Sequence, residues 1–155
     1  MRPTVPETLV VGLGNPLRGD DGIGVRVAQA LIARPLPAGV EVVDGGTQGL
    51  ALVNLLEDRR RAILVDAANV GRAPGEFVRF TPDEVKLLGE GRGLSIHEAG
   101  LRDVLLLAEV LGVLPAQVVI LGVQPANLEW DQDLSPAVQA ALPELVAAVL
   151  EELDR

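Results

Sequence analysis

Four short apolar runs limit what this chain can fold into: "TLVVGL" (Thr8–Leu13), "VEVVD" (Val40–Asp44), "RAILVDA" (Arg61–Ala67) and "QVVILGV" (Gln117–Val123). Each is rich in aliphatic and β-branched residues and is broken off by glycine, proline or aspartate. Such runs read as strands covered on both faces, and a strand covered on both faces needs a layer of helices on each side of its sheet. The segments between them supply those helices. "GIGVRVAQALIA" (Gly22–Ala33) sets Ile23, Val27, Ala30 and Leu31 on one stripe, and Pro35 and Pro37 end it. Leu50–Leu56 reads as a short helix. Thr81-Pro82-Asp83-Glu84 spells an N-cap, a proline at the first helical position and a capping-box glutamate. Glu98–Gly112 reads as a strongly apolar helix ended by glycine, and Ser135-Pro136 opens a last helix toward Leu153. "GEFVRF" (Gly75–Phe80) adds a short strand near an edge, its direction open. The pattern predicts an α/β fold: a single three-layer α/β/α sandwich with a mainly parallel, mixed central sheet of about five strands, in one domain over residues 1–155. No repeat with a period of about 20–50 residues competes with it.

Composition narrows function. A net charge of −9 disfavours nucleic acid and anionic membranes as partners, since both require a basic surface. The chain has no cysteine, so disulfides, thiolate nucleophiles and thiolate metal sites are excluded, and no tyrosine. His97 is its one histidine. The opening "MRPTVPETLVVGL" has too short an apolar run for a secretory signal, and no stretch reaches the roughly 18 apolar residues that span a bilayer. The expectation is a cytoplasmic protein without membrane insertion.

In a sheet of this type ligands bind beyond the carboxyl ends of the strands. There the polar residues gather: "GNPLRGDDG" after the first strand, Asp44 and "GGTQG" after the second, Asp66 at the end of the third, and Gln124-Pro125 after the last. His97 stands in "GLSIHEAG", ahead of a helix. The first turn breaks the G-x-G-x-x-G spacing of a dinucleotide site and puts acid where a pyrophosphate would lie. Each residue also has an ordinary structural reading. Asp20 or Asp21 suits a helix cap, Asp66 and Asp44 suit turns, and a solitary histidine is most often structural. Leu101, four after His97, rules out the zinc-protease helix pattern. Taken together, two carboxylates and one imidazole at the strand ends form an oxygen, oxygen, nitrogen donor set for a divalent first-row metal with open positions.

"GLGNPLRGDDGIGVRVAQAL", "DGGTQGLALVNLL", "ILVDAANVGRAPGEFVRF", "SIHEAGLRDVLLLAEVLG" and "VVILGVQPANLEWDQDLSPAVQAAL" follow one another from Leu9 to Leu142. In this order they resemble the signatures of hydrogenase maturation proteases, endopeptidases that trim the C-terminus of the nickel-iron hydrogenase large subunit. The resemblance implies that Asp21, Asp66 and His97 are both the metal contacts and the catalytic unit. Many relatives carry glutamate where Asp21 stands, so a side chain one methylene shorter is expected to shift the loop or the metal distance. It further implies that the metal is nickel supplied by the precursor, that the chain holds no tight metal of its own, and that another divalent metal is able to occupy the site in vitro. The partner implied is the large-subunit precursor. Asp44, Gly45, Gly46 and Thr47 are expected substrate contacts along the second wall of the crevice; Gln124 is a further expected contact, with a turn at Gln124-Pro125 as its equal alternative.

Two other readings compete. "LVVGLGNP" also resembles the opening of bacterial peptidyl-tRNA hydrolases, but no histidine follows it closely and the charge is wrong for tRNA. A nickel-dependent docking or metallochaperone module would use the same three ligands without cutting a peptide bond. Trp130, in "NLEWDQDLS", is expected to pack locally, with partner anchoring as the alternative.

Overall fold

The computed structural model describes residues 5–47, 49–87 and 101–155. Strands β1 (Thr8–Leu13), β2 (Val40–Gly46), β3 (Arg61–Ala67), β4 (Phe77–Phe80) and β5 (Gln117–Val123) form one sheet in the order β2-β1-β3-β5-β4. Parallel pairing joins β1 to β2 and β3, and β3 to β5. The edge strand β4 runs antiparallel to β5, which settles the direction left open by the sequence. The helices are α1 (Ile23–Ile32), α2 (Gly49–Leu56), α3 (Pro82–Leu87), α4 (Leu101–Val110) and α5 (Pro136–Leu153).

Two cores sandwich the sheet, one per face. Leu9, Val11, Ala62, Leu64 and Ile120 pack with Leu52, Leu56, Val104 and Leu105 of α2 and α4. Val10, Ile63, Val65, Val119 and Leu121 pack with Ile23, Val27 and Leu31 of α1 and with Val138, Leu145 and Val149 of α5. Successive residues of each strand thus point to opposite cores, and because both are apolar the period of two leaves no trace in the sequence. Each fully buried leucine or isoleucine contributes about 1.5–3 kcal/mol. Most expected boundaries hold within a residue or so. The capping box is formed, with Thr81 N–H donating to Glu84 Oε1 at 3.1 Å and Glu84 N–H to Thr81 Oγ1 at 3.4 Å. Gly112, at φ 73°, ends the helical stretch as expected, and Val113 N–H reaches back to Ala108 O at 2.9 Å. The first residues of the predicted Glu98–Gly112 helix lie outside the described residues.

Two boundaries are corrected. The edge strand was expected from Gly75 but starts at Phe77, Gly75 lying at φ 90° in the turn before it. Strand β2 was expected to stop at Asp44 but continues through Gly46. A bulge between Gly12 and Leu13 lets Leu13 pair with Gly46, and the bare Gly45 fits against Val11, whose Cγ1 would stand 2.5 Å from an added Cβ.

The connections leave β1 and β3 in opposite directions across the sheet, β1 passing to β2 through α1 on one face and β3 to β5 through β4, α3 and α4, with α4 on the other. Their carboxyl ends therefore form the topological switch point where ligands bind in such folds. Helix α1 presses very closely there. A Cβ on Gly24 would fall 2.3 Å from the carbonyl oxygens of both Leu13 and Val65, and one on Gly12 would fall 2.0 Å from Gly24 O. Gly24→Ala gains about 1 kcal/mol of helix propensity, but the obstructing atoms are backbone of two strands and cannot swing aside. We expect net destabilisation of about 2 kcal/mol or more, measured by urea unfolding; a midpoint at or above the parent's would show that α1 is not seated this tightly.

At the opposite, amino edge, a cavity of about 550 Å³ is lined by Arg61 and Arg79 among others. Arg61 donates to the α5 carbonyls of Glu152 and Leu153, and Arg79 pairs with Glu152, whose hydrogen bond raises the guanidinium pKa further. These cations hold the end of α5 and are remote from the acids. Among the described residues no helix is long and apolar enough to cross a membrane.

Candidate functional site

Beyond β1 the chain turns at Gly14, φ 121°, and enters a single 3₁₀ turn, Gly19–Gly22, that runs directly into α1. Asp20 and Asp21 occupy this turn, both with no solvent exposure, and their side chains have different surroundings. Asp21 Oδ2 accepts the N–H of Asn15 at 2.9 Å, and its main-chain oxygen lies where a Cβ on Gly14 would come within 1.9 Å. Only glycine at position 14 allows the turn to fold back so closely. The 3₁₀ turn packs on β3. Asp66, 2% exposed, is the next-to-last residue of β3, one residue beyond the Val65 carbonyl that the helix start touches. Two of the three predicted ligands are thus brought to the β1/β3 switch point by the close seating of Gly12 and Gly24. The third, His97, lies outside the described residues. Among the described residues no group of three or more His, Cys, Asp or Glu side chains is gathered for a metal.

The structure assigns Asp20 a role that the cap reading missed. The start of α1 carries no side-chain cap. Instead Asp20 Oδ2 accepts the N–H groups of Ala126 and Asn127 at 2.8 and 3.0 Å and the hydroxyl of Ser135 at 2.8 Å, while Oδ1 accepts the N–H of Ser135 at 2.7 Å. Asp20 N–H donates to Asn127 O at 2.7 Å and Gly19 N–H to Gln132 O at 2.9 Å. One buried carboxylate therefore ties the segment after β5 to the turn that carries Asp21. Ser135, at the N-cap position of α5, spends its hydroxyl on Asp20 and makes no cap bond. The sequence signal was the doubled acid itself: one helix start uses at most one of two adjacent acids as a cap, so the other needs a different partner.

The expected substrate contacts divide. Asp44 and Thr47 are exposed, and Asp44 Oδ1 accepts the N–H of Gly46 at 3.1 Å in a local turn. Gly46 takes φ 54° with open space where a Cβ would sit, whereas Gly45 is packed against β1. Gln124 is used inside the fold: its Oε1 accepts the N–H of Val70 at 2.8 Å and of Arg72 at 3.3 Å, fastening the loop that leaves Asp66. Gln124 and Asp20 thus perform matching tasks, one on each acid-bearing segment.

Chemically, Asp21 and Asp66 offer hard oxygen donors, suited to a divalent cation or to accepting a proton from water. Burying carboxylates is costly, so their place at a ligand-binding edge is itself informative.

Comparison with known proteins identifies the family. The family model for HycI, hydrogenase maturation protease, matches residues 25–152. The chain is 37% identical over 147 residues to the hydrogenase expression/formation protein HupD of Rhodobacter capsulatus, covering 94% of this chain and 70% of that protein. It is 38% identical over 149 residues to the hydrogenase 2 maturation protease of Escherichia coli (strain K12), covering 92% of this chain and 90% of that one. Among solved structures, the hydrogenase maturating endopeptidase HybD from E. coli superimposes with a TM-score of 0.84 at 37% identity, over 95% of this chain and 91% of that one. A NiFe hydrogenase maturation protease HycI from Thermococcus kodakarensis KOD1 gives 0.78 at 25% identity, over 97% and 94%. These likenesses replace the peptidyl-tRNA hydrolase and non-cleaving readings: with an acid-lined switch point and relatives of this kind over nearly its whole length, the chain belongs to the hydrogenase maturation protease family and is a peptidase.

Proposed function

We propose that this peptidase removes the C-terminal extension of a nickel-loaded hydrogenase large-subunit precursor, and that Asp21, Asp66 and His97 together recognise the nickel the substrate carries. The observation that carries the reading is the convergence of two buried acids, far apart in sequence, on one end of the β1/β3 pair. Two oxygens and an imidazole hold a metal weakly alone, yet suffice to complete the shell of one already held by the substrate. Occupancy of the precursor then supplies differential binding energy, so loaded substrate alone reaches the reactive geometry. In hydrolysis, a carboxylate of this set takes the proton of the attacking water, while the nickel docks the substrate or polarises its scissile carbonyl. The burial of Asp21 and Asp66 sets a condition: precursor docking must open a path to them.

The test mixes the purified enzyme with nickel-loaded and nickel-free precursor and weighs the products. A shortened subunit and a released peptide are expected with nickel and neither without it. The isolated enzyme is expected to carry substoichiometric metal. Equal cleavage of both precursors would remove nickel recognition from the mechanism, and intact precursor in both arms would remove the protease reading.

A further inference from the structure

The loops that hold the acids also expose an apolar surface that neither the fold nor the acid site uses. Trp130, expected to pack locally, is 60% exposed, and Leu17 is 61% exposed. The two belong to different loops stitched together by a hydrogen bond from Asp131 N–H to Leu17 O at 2.8 Å and by a bridge between Arg18 and Gln132. Asp131 adopts φ 59°, a left-handed turn that fixes the chain next to the indole. The Arg18 guanidinium lies 5.1 Å from the Trp130 ring centroid, covering one face of the indole by a cation–π contact. Its buried Nε has no hydrogen-bond partner among the described residues. Glu129, Asp131 and Asp133, on the same loop as Trp130, are exposed. Asp20 fastens this same loop to the turn bearing Asp21, so the platform and that turn are tied together.

We propose that Leu17, Arg18 and Trp130 form the docking platform for the precursor segment next to the scissile bond, an inference that rests on the protease reading above. The occupant is an extended peptide that lays an apolar side chain across Leu17 and the free indole surface, offers a main-chain carbonyl to Arg18, and carries a basic residue opposite the three loop carboxylates. The acidic flank selects this charge. Tryptophan and arginine are the residue types that dominate recognition interfaces.

Leu17→Ser combined with Trp130→Ala tests the platform, since both side chains are exposed and the fold is expected to survive, with an unchanged melting curve. Against nickel-loaded precursor the double variant is expected to raise KM about tenfold or more while kcat stays within about twofold, the signature of lost ground-state binding. Trp130 is the chain's only tryptophan. Enzyme labelled with 5-fluorotryptophan therefore gives one fluorine resonance, expected to shift with precursor and not with the mature, trimmed subunit. A parent enzyme that cleaves beside a variant of parental KM, or a resonance that ignores precursor, overturns the platform and leaves the protease reading standing. A parent enzyme that fails to cleave overturns both. A parental KM with a halved molar mass for the variant in light scattering would make the patch a contact between copies of this chain, and would equally overturn the proposal.

Discussion

Asp66→Asn is expected to lower precursor cleavage by about 10²- to 10⁴-fold, the range lost when a group that handles a proton or developing charge is removed. Asp21→Asn is expected to do the same. The substitution is chosen because the amide has the shape of the carboxylate. Asparagine at position 21 keeps an oxygen for the N–H of Asn15, now accepted by Asp21 Oδ2 at 2.9 Å. What disappears is the negative charge, and with it both proton acceptance and strong metal ligation. Stability is expected to change by no more than about 1–3 kcal/mol, the cost of one imperfect buried hydrogen bond. Both variants are therefore expected to remain folded while nearly inactive, read by a melting curve beside single-turnover cleavage. A folded variant that cuts at the parental rate would take its residue out of the mechanism.

That pair was legible in the sequence because a strand in a parallel sheet is apolar throughout, so the first acid after it is conspicuous. "AILVD" announces Asp66, and "GDDG" announces an acid ahead of α1. The layers were legible for the same reason. Four apolar runs separated by helical stripes leave little choice but a sheet covered twice. What stayed hidden depends on partners remote in sequence. Nothing in "GDDG" tells which aspartate takes main-chain N–H groups from residues 126–135 and which takes the N–H of Asn15, because that is decided by where the segment after β5 lands. Gln124 was read as a turn or substrate residue, yet its amide oxygen serves residues 70 and 72 across the sheet edge. The continuation of β2 to Gly46 depends on a bulge in the neighbouring strand, which no property of "VEVVDGG" records. Trp130 illustrates the same limit from the other side. A lone indole in a polar loop suggests packing by its size, but its exposure follows from how the turn at Asp131 directs the chain.

Asp20→Ala is expected to be the most destabilising single change at this edge, costing about 3–5 kcal/mol. Four donors lose their acceptor at once: the N–H groups of Ala126, Asn127 and Ser135 and the hydroxyl of Ser135. Water entering the vacated space recovers part of this, which is why the sum of four charge-assisted bonds, each about 1.5–3 kcal/mol, is not expected in full. Set against a typical domain stability of about 5–15 kcal/mol, the loss leaves a marginal protein. Asp20→Asn separates the charge from the contacts. With its oxygen at the position of Oδ2 it still serves Ala126, Asn127 and the Ser135 hydroxyl, but its NH₂ group then faces the Ser135 N–H, now 2.7 Å from Oδ1. Donor meets donor, and an intermediate loss is expected. Because the clamped loop carries Trp130 and the clamping turn carries Asp21, the folded Asn variant is also expected to cleave less well, and its single indole to gain mobility. Urea unfolding of the three proteins in the order parent, Asn, Ala is the measurement. An Ala variant within about 1 kcal/mol of the parent would mean that the buried carboxylate is not what joins the two loops, and the acid site would then have to be held in place by the glycine-seated helix alone.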